Sequence, residues 1–425
     1  MEEKIAITPA GPIHDTVRPP GSKSITNRAL ICAALAEGPS TLVGALESED
    51  TSVMADGLQA LGIAIDRDSA ARTLTVRGAG GVIGPPSAEI YVANSGTTVR
   101  FLAALVSLGR GTYRLDGTPR MRQRPIGDLV ESLRQLGVDA SCEGQGGCPP
   151  VVIRAAGLPG GAATIRGDVS SQFLSGLLMA APYAQRPVTL TVTGELVSQP
   201  YVRMTLAVMK AFGVDAPAGD LRRFELPSGV HYRGCRYAIE PDASAASYFF
   251  AAAAITGGRV TVEGLSRTSL QGDVAFVDVL AQMGCHVEHG PDSITVSGGK
   301  LRGVTVEMNA ISDTVQTLAA VALFADGPTV ITGVGHIRHK ETDRIGALAT
   351  ELRKLGAVVD ELPDGVRITP GTLHPATIDT YQDHRMAMSL ALVGLRQEGV
   401  VIRDPGCTAK TYPAFFDDLC KLGKS

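Results

Sequence analysis

Short polar turns that lead into predicted helices carry many of the basic residues, and this arrangement suits the binding of anions. Residues 18–28 read Arg-Pro-Pro-Gly-Ser-Lys-Ser-Ile-Thr-Asn-Arg, and a helix is predicted over 28–36. Free amides at a helix N-terminus attract anions, and Lys23, Ser24 and Arg28 add side-chain donors. The segment is not a Walker loop, because Gly-x-x-x-x-Gly-Lys is absent. A capped helix with surface charges is the structural alternative.

A second turn, residues 93–100, reads Ala-Asn-Ser-Gly-Thr-Thr-Val-Arg and precedes a helix predicted over 99–108. Gly96 would let a ligand approach the backbone closely, because it has no side chain. An ordinary Asn/Ser/Gly helix start explains the same residues without any ligand. The sequence therefore leaves a binding loop and a simple helix cap open.

A third turn places three arginines in five residues, Arg120, Arg122 and Arg124, just before a helix predicted over 126–136. Three cations repel one another and oppose the positive end of the helix dipole unless an anion offsets them. The pattern therefore indicates an anion site, with a solvated run of charge as the alternative.

Two serine-rich helix starts offer hydroxyl and amide groups suited to a polyol. Ser170, Ser171 and Gln172 begin one predicted helix, and residues 198–201, Ser-Gln-Pro-Tyr, begin the next. Taken alone, these residues are good helix caps, and capping is the simpler interpretation.

In the second half of the chain, polar turns before predicted helices carry both acidic and basic residues. Asp313 precedes a small-residue helix, where a helix cap would also explain it. Lys340 and Arg344 are four residues apart, which predicts one helical face, and Glu341 lies three residues before Arg344. Internal salt bridges are the alternative for that group. Arg385 and Lys410 each follow a further polar turn.

Length and composition limit the classes of protein that remain. The 425 residues predict two domains, and a net charge of −4 argues against a nucleic-acid or membrane surface. No apolar run approaches the roughly 18 residues of a membrane helix. Without an export-signal pattern, the cytoplasm is the expected compartment. Seven scattered cysteines lack Cys-x-x-Cys and suggest neither disulfides nor a zinc ribbon.

One pattern, Leu/Met-x-x-(Leu/Met/Phe)-Gly, recurs along the whole chain and predicts a helix, a glycine cap and a strand. Its glycines are spaced at intervals of 75, 76, 71, 72 and 67 residues: Gly62, Gly137, Gly213, Gly284, Gly356 and Gly423. Such a near-constant period indicates six copies of one unit of mixed helix and strand, three in each domain. We expect a first lobe over 21–239 and a second lobe over 1–20 and 240–425.

Six motifs in register resemble the 5-enolpyruvylshikimate-3-phosphate synthases (3-phosphoshikimate 1-carboxyvinyltransferases) of the enolpyruvyl transferase family. They are Pro-Gly-Ser-Lys-Ser-Ile-Thr-Asn-Arg at 20–28, Asn-Ser-Gly-Thr-Thr-x-Arg at 94–100, Arg-Pro at 124–125, Lys-Glu-Thr-Asp-Arg at 340–344, Asp-His-Arg-Met at 383–386 and Lys-Thr-Tyr-Pro at 410–413. The resemblance implies a two-domain inside-out α/β barrel of six βαβαββ units, with the active site in the interdomain cleft.

The implied reaction transfers the enolpyruvyl group of phosphoenolpyruvate to the 5-hydroxyl of shikimate 3-phosphate, a step of aromatic amino acid biosynthesis, without metal or organic cofactor. By resemblance, phosphoenolpyruvate meets Lys23, Gly96, Arg124, Gln172, Arg344, Arg385 and Lys410. Shikimate 3-phosphate meets Lys23, Ser24, Arg28, Ser170, Ser171, Gln172, Ser198, Asp313 and Lys340, with Tyr201 nearby. The catalytic residues implied are Lys23, Asp313 and Glu341, with the acid and base roles of the two carboxylates left open.

The resemblance also implies a monomer that glyphosate inhibits in competition with phosphoenolpyruvate, and Gly96 predicts sensitivity. Two residues depart from the family pattern. Phe101 stands where many members have Pro, and His336 stands where the family often has Asn. A histidine there would add sensitivity to pH.

Two rival interpretations remain at this stage. The sister enzyme that uses UDP-N-acetylglucosamine generally has Lys-Asn where this chain has Lys23-Ser24, and a cysteine before the position of Arg124. Here no cysteine lies between Cys32 and Cys142. A non-catalytic anion-binding repeat protein would also have six units, but it would not need Asp313 and Glu341 together with the cations.

Overall fold

The computed structural model describes residues 3–216 and 219–424. Contacts between Cα atoms divide the chain into two compact units, Gly21–Ile239 and Met1–Pro20 with Glu240–Ser425. We call the first unit the first lobe and the second unit the second lobe. The two lobes predicted from the sequence include residues 1, 2, 217, 218 and 425, which lie outside the described residues.

Helices and strands alternate through the described part of the chain. In chain order the strands are β1 (Lys4–Ala6), β2 (His14–Val17), β3 (Glu37–Val43), β4 (Ala64–Asp68), β5 (Thr73–Ala79), β6 (Ser87–Tyr91), β7 (Arg110–Asp116), β8 (Asp139–Cys142), β9 (Val151–Ala156), β10 (Gly161–Arg166), β11 (Val188–Thr193), β12 (Arg223–Leu226), β13 (Arg236–Ala238), β14 (Arg259–Glu263), β15 (His286–His289), β16 (Ser293–Ser297), β17 (Thr305–Glu307), β18 (Thr329–Thr332), β19 (Val358–Leu362), β20 (Gly365–Thr369), β21 (Ala376–Ile378) and β22 (Val400–Arg403). The α-helices are α1 (Lys23–Leu35), α2 (Glu49–Ala60), α3 (Gly96–Val106), α4 (Gly127–Gln135), α5 (Ser171–Ala180), α6 (Gln199–Ala211), α7 (Ala243–Thr256), α8 (Phe276–Met283), α9 (Val315–Ala322), α10 (Arg344–Lys354), α11 (His384–Ala391) and α12 (Phe415–Lys421).

One complete unit in the first lobe shows the repeated topology. It runs β6, α3, β7, α4, β8, β9, and its sheet has the order β6-β7-β9-β8. β6 and β7 are parallel, whereas β9 is antiparallel to both β7 and β8. A parallel pair needs a crossover, which α3 supplies, and the last two strands form a hairpin. The unit is therefore βαβαββ.

The other first-lobe sheets are variations on this unit. One sheet has the order β13-β3-β5-β4. Its edge strand β13 pairs in parallel with β3, although it comes from the C-terminal end of the lobe in sequence. The third sheet, β10-β11-β12, has one strand fewer among the described residues. The first unit is thus completed by the segment that leads to Ile239, where the lobe ends.

The second lobe has the same construction. Its sheets have the orders β15-β16-β14-β2, β17-β18-β20-β19 and β1-β22-β21. The N-terminal strands β1 and β2 complete two of these sheets, β1 antiparallel to β22 and β2 parallel to β14. The α/β class expected from the sequence is confirmed.

The six cap glycines lie where the repeated pattern placed them, just after the ends of α2, α4, α6, α8, α10 and α12. All six have positive φ, between +76° and +112°. A glycine adopts this left-handed backbone without the penalty that a Cβ atom brings, so it ends each helix cleanly. Four of the caps, at Gly62, Gly137, Gly284 and Gly356, lead directly into a strand.

Small residues allow helices to pack closely in the cores. α7 reads Ala-Ser-Ala-Ala-Ser-Tyr-Phe-Phe-Ala-Ala-Ala-Ala-Ile-Thr, and every one of its residues is buried. A helix that is apolar on all sides must be surrounded by protein, and α7 packs against α8, α9 and β14 in the second-lobe core. No helix within residues 3–216 and 219–424 is long and apolar enough to span a membrane.

We expect the cap glycines to tolerate alanine unequally. At Gly356, with φ +102°, a Cβ atom would lie 2.1 Å from the carbonyl oxygen of Thr372, whereas at Gly423, with φ +76°, it would lie 3.5 Å from Ile13. Gly423→Ala should cost about 1 kcal/mol of unfolding free energy from backbone strain alone, and Gly356→Ala more than about 2 kcal/mol. Guanidinium chloride denaturation measures both losses. Equal losses would show that the carbonyl contact does not matter.

Candidate functional site

Asp313 is the centre of a charged cluster in the second lobe. Its Oδ1 accepts hydrogen bonds from Lys340 Nζ at 3.3 Å and Arg344 Nη1 at 3.2 Å. Its Oδ2 accepts one from Arg385 Nη2 at 2.7 Å. The side chain of Asp313 is 13% exposed, so three cations converge on a carboxylate that solvent still reaches.

Arg344 is almost completely buried and is held by carboxylates on several sides. Its Nε donates to Asp383 Oδ2 at 2.7 Å, and its Nη2 donates to Asp383 Oδ1 at 3.2 Å and Glu341 Oε2 at 2.8 Å. Burial alone would lower the pKa of Arg344, but Asp383, Glu341 and Asp313 more than offset it and raise that pKa. Arg344 therefore remains a permanent cation.

The prediction that Lys340 and Arg344 share one helical face is wrong. α10 begins only at Arg344, and Asp343 caps it by accepting hydrogen bonds from the amides of Ile345 and Gly346. An aspartate forms a strong N-cap, so the helix cannot extend back to Lys340. Lys340 and Glu341 lie in the turn before the helix, and Lys340 meets Arg344 by sharing Asp313 instead.

A helix cap was the alternative explanation for Asp313, but the structure shows that Asp313 is not the N-cap residue of α9. It lies in a 3-10 segment, Asn309–Thr314, and Thr314 is the N-cap of α9. Its two oxygen atoms bind cations rather than helix amides. The described contacts of Asp313 are therefore ion pairs, not helix capping.

Arg385 and Lys410 belong to neighbouring segments. Arg385 is the second residue of α11, and Asp383 caps that helix by accepting the Arg385 amide at 2.9 Å. Lys410 ends a 3-10 segment, Pro405–Lys410, that packs against α11, and its side chain is 4% exposed. The structure thus brings Lys340, Glu341, Arg344 and Arg385 together around Asp313 and places Lys410 on a segment beside α11.

His336 stays neutral near physiological pH. Burial, followed by the charge of Lys340, lowers its pKa to about 3, and its Nε2 lies 3.1 Å from Ser312 Oγ. In the folded protein this imidazole therefore does not change its charge near neutrality, so the expected sensitivity to pH does not arise there from titration of His336 within the site. Burial also lowers the pKa of Lys340.

Asp273 lies close enough to Asp313 to respond to its charge, but it was not singled out from the sequence. It is 4% exposed, it lies on the 3-10 segment Gly272–Ala275 just before α8, and it accepts a short hydrogen bond from the Ser244 hydroxyl. Burial, and then the charge of Asp313, raise its pKa to about 6. A lone aspartate on an apolar helix start gives no sequence signal of this kind.

In the first lobe, Lys23 is the first residue of α1, five residues earlier than the predicted helix start. Ser22 caps the helix by accepting the amide of Ile25, and serine is a better start signal than the polar residues after it. Lys23 Nζ lies 3.2 Å from Asp50 Oδ2, and Asp50 is 3% exposed. Asp50 was not among the residues singled out from the sequence, where nothing links it to Lys23.

Arg124 and Gly96 meet at the start of α3. Arg124 is 3% exposed, and its Nη1 donates to the backbone oxygen of Asn94 at 2.8 Å and to Asn94 Oδ1 at 3.1 Å. A Cβ atom on Gly96 would lie 2.6 Å from Arg124 Nη2 and 3.0 Å from Arg100 Nη1. The missing side chain of Gly96 therefore leaves room for both guanidinium groups.

Gln172 lies beside Arg100, an arginine that the sequence did not single out as a site residue. Arg100 Nη1 donates to Gln172 Oε1 at 2.6 Å, and Nη2 donates to the carbonyl of Pro125 at 3.0 Å. The guanidinium carbon also lies 5.0 Å from the Phe173 ring centroid. Arg100 thus connects the start of α5 to the turn that carries Arg124.

Arg28 is fully buried within the first lobe. Its guanidinium donates to the Thr205 hydroxyl at 2.7 Å, to the carbonyl of Ser24 at 2.9 Å and to the carbonyl of Tyr201 at 3.3 Å. Burial lowers its pKa to about 10, and the Phe101 ring lies 5.2 Å away. Arg28 therefore joins α1 to α6, and Phe101 forms one wall of its pocket.

The serine positions are helix starts, as capping chemistry predicts. Ser170 caps α5 by accepting the amide of Gln172 at 3.3 Å, and the next residue, Ser171, is buried. Ser198 precedes α6 with φ +53°, a left-handed backbone that is unfavourable for serine. Residues in such conformations cluster at functional sites.

Removing the charge of Asp383 should destabilise the second lobe. Asp383→Asn leaves the buried Arg344 without one of its carboxylates, and breaking a buried ion pair costs about 3 kcal/mol. Chemical denaturation measures the loss, with Asp326→Asn as control, because Asp326 is 76% exposed and lies 3.7 Å from Lys300. A loss no greater than that of the control would mean that Asp383 is not needed to stabilise the buried guanidinium.

The raised pKa of Asp273 predicts a specific dependence of stability on pH. The folded pKa of about 6 exceeds the ordinary value of 3.8, so this residue favours folding below pH 3.8 and loses that contribution as pH rises through 6. The loss corresponds to about 3 kcal/mol. Asp273→Asn should keep the Ser244 hydrogen bond and gain stability relative to the wild type between pH 4 and 7. A difference that does not change with pH would contradict this.

Comparison with known proteins identifies the family. The sequence matches the family model described as EPSP synthase (3-phosphoshikimate 1-carboxyvinyltransferase) over residues 7–419. It is 51% identical over 412 residues to the 3-phosphoshikimate 1-carboxyvinyltransferase of Trichormus variabilis, with 97% of each chain covered. It is 47% identical over 426 residues to the enzyme of that name from Shewanella amazonensis, with 99% of each chain covered.

Solved structures agree. The EPSP synthase of Acinetobacter baumannii superposes with a TM-score of 0.82 at 27% identity, covering 99% of this chain and 98% of that one. The enolpyruvyl transferase NikO from Streptomyces tendae gives a TM-score of 0.78 at 22% identity, covering 100% and 98%, which shows the shared fold. With a family match along nearly its whole length, the chain belongs to the EPSP synthase (3-phosphoshikimate 1-carboxyvinyltransferase) family.

Proposed function

We propose that this protein transfers the enolpyruvyl group of phosphoenolpyruvate to the 5-hydroxyl of shikimate 3-phosphate, giving 5-enolpyruvylshikimate 3-phosphate and phosphate. The observation that carries the proposal is the cluster around Asp313, where two carboxylates able to move protons alternate with three cations able to bind anions. Family membership supplies the identity of the substrates. By the same resemblance the enzyme acts as a cytoplasmic monomer without metal or organic cofactor.

The cations suit the charge of the donor substrate. Phosphoenolpyruvate carries a phosphate and a carboxylate, and each hydrogen bond to a charged group contributes about 1.5 to 3 kcal/mol. We assign its binding to Lys23, Gly96, Arg124, Gln172, Arg344, Arg385 and Lys410. Low exposure of Arg124, Arg344 and Lys410 supports this assignment, because a desolvated cation binds an anion more strongly than an exposed one.

Shikimate 3-phosphate offers hydroxyl groups in addition to its charges. Its proposed contacts are Lys23, Ser24, Arg28, Ser170, Ser171, Gln172, Ser198, Asp313 and Lys340. The serines at the starts of α5 and α6 provide hydroxyl groups at the positive ends of helices, which suit a phosphate. The buried position of Arg28 supports a role for its guanidinium in fixing Ser24 and Tyr201 as well.

The reaction needs two proton transfers, and Asp313 and Glu341 are the carboxylates placed to make them. The 5-hydroxyl oxygen forms a bond to C2 of phosphoenolpyruvate as its proton leaves to a carboxylate, and C3 gains a proton. The resulting tetrahedral intermediate then loses a C3 proton and expels phosphate, which restores the enol double bond. Lys23 stabilises the charge that develops on the leaving phosphate.

Phosphate release is the decisive assay. The wild-type protein should release phosphate only when both substrates are present, and UDP-N-acetylglucosamine should not replace shikimate 3-phosphate. Lys23→Met should reduce the rate by roughly a thousandfold or more, because it removes a cation from a developing negative charge. Lys210→Met is the matched control, since Lys210 is 68% exposed and pairs with Asp215. An active Lys23→Met protein would refute the assignment of Lys23.

Glyphosate should inhibit in competition with phosphoenolpyruvate. Gly96→Ala would put a methyl group 2.6 Å from Arg124 Nη2, and the shift of this guanidinium should weaken inhibition at least tenfold, a loss of about 1.4 kcal/mol. Steady-state inhibition at several phosphoenolpyruvate concentrations measures this. Inhibition that is not competitive with phosphoenolpyruvate would contradict the proposal.

A further inference from the structure

The turn before Asp383 contains two successive residues with unfavourable backbone conformations. Tyr381 and Gln382 both have φ +55°, and the turn is closed by the Asp383 amide, which donates to the Thr380 carbonyl at 2.9 Å. Turns with positive φ at both central residues favour glycine, asparagine or aspartate, so tyrosine and glutamine are strained here. Such strain persists only where surrounding contacts hold it.

A buried carboxylate, Glu351, supplies those contacts. The Tyr381 hydroxyl donates to Glu351 Oε1 at 2.7 Å, and the Asp379 amide donates to Glu351 Oε2 at 3.1 Å. Glu351 is completely buried. One side chain of α10 therefore holds the segment that leads to Asp383 at two points.

Further charges fix this carboxylate in place. Lys354 Nζ lies 2.9 Å and 2.8 Å from the two oxygen atoms of Glu351 and 2.6 Å from Asp379 Oδ2. Arg403 Nη1 donates to Asp379 Oδ1 at 2.7 Å. Burial and then the hydrogen bond to Glu351 raise the pKa of Tyr381, so its hydroxyl keeps the proton that it donates.

The spacing of residues along α10 connects the contacts of Glu351 to the charged cluster around Asp313. Glu351 lies seven residues after Arg344, which puts both on the same helical face two turns apart. Asp383 binds Arg344, and Tyr381 binds Glu351. The segment 379–383 is thus attached twice to one face of α10, once at the charged cluster and once away from it.

We propose that Glu351 and Tyr381 are positioning residues for phosphoenolpyruvate. They hold the strained turn so that Asp383 sets the orientation of Arg344 through its carboxylate and of Arg385 through the start of α11. The inference rests on the proposed function, which assigns both arginines to phosphoenolpyruvate. Neither Glu351 nor Tyr381 touches the substrate, so both act through Asp383.

The test compares steady-state kinetics of the variants Tyr381→Phe and Glu351→Gln. Loss of a hydrogen bond to a charged group should raise KM for phosphoenolpyruvate roughly tenfold, with kcat within about twofold and KM for shikimate 3-phosphate unchanged. The double variant should be no worse than Glu351→Gln, because the hydroxyl acts through that carboxylate. Tyr91→Phe and Glu361→Gln are matched controls at exposed positions, Tyr91 being 63% and Glu361 37% exposed.

Hydrogen exchange gives a readout that does not depend on turnover. The amides of Asp383 and Arg385 should exchange faster in Tyr381→Phe than in the wild type. Unchanged exchange, or faster exchange with an unchanged KM for phosphoenolpyruvate, would overturn the inference. If Glu351→Gln fails to fold, Tyr381→Phe decides alone, since it removes only a hydroxyl. An inactive wild type would refute the proposed function, and exchange would still decide whether the hydroxyl holds the turn.

Discussion

The burial of Arg344 is the constraint on which the second-lobe site depends. A guanidinium that is 1% exposed must be paired, and its carboxylates come from three separate segments. Asp313 lies in a 3-10 segment, Glu341 in the turn before α10, and Asp383 before α11. Satisfying one buried charge therefore fixes three segments together. The same contacts leave Asp313 shared among Lys340, Arg344 and Arg385, so an incoming anion must compete with this carboxylate for its cations.

Among the contacts described for the first-lobe arginines are several to neutral groups. The contacts described for Arg28 and Arg100 are to hydroxyl groups, an amide oxygen and backbone carbonyls, and those for Arg124 are to Asn94. Neutral oxygen atoms orient a guanidinium without cancelling its charge, whereas a carboxylate does both. Arg28, held in this way, keeps the charge that attracts a phosphate, at the cost of burying that charge. The lowered pKa of Arg28 records that cost.

Local chemistry was predictable from the sequence, and long-range pairing was not. The glycine caps and the α/β alternation follow from short-range rules of helix termination, and the structure confirms them. The predicted start of α1 was wrong because Ser22 caps the helix earlier, and the predicted helical face of Lys340 was wrong because Asp343 caps α10 after it. The pairs Lys23 with Asp50 and Arg385 with Asp313 join residues 27 and 72 positions apart, and no spacing rule links them. The site residues remain predictions in their roles, but their partners became visible only through packing.

The repeated unit explains why the relevant residues recur at helix starts. In the complete unit β6 to β9, one helix follows the first strand and another follows the second, and the first-turn amides of a helix have no partner within the helix itself. Lys23, Gly96, Ser171 and Arg385 lie in the first turns of α1, α3, α5 and α11. Arg344 begins α10, and Ser198 immediately precedes α6. Asp273 occupies the corresponding position before α8. It lacks any motif, yet it lies at a helix start, as proposed site residues of other units do, and its buried carboxyl responds to the charge of Asp313. A repeat can thus draw attention to a position that no local pattern marks, because the geometry of the unit, rather than the residue type, is what recurs.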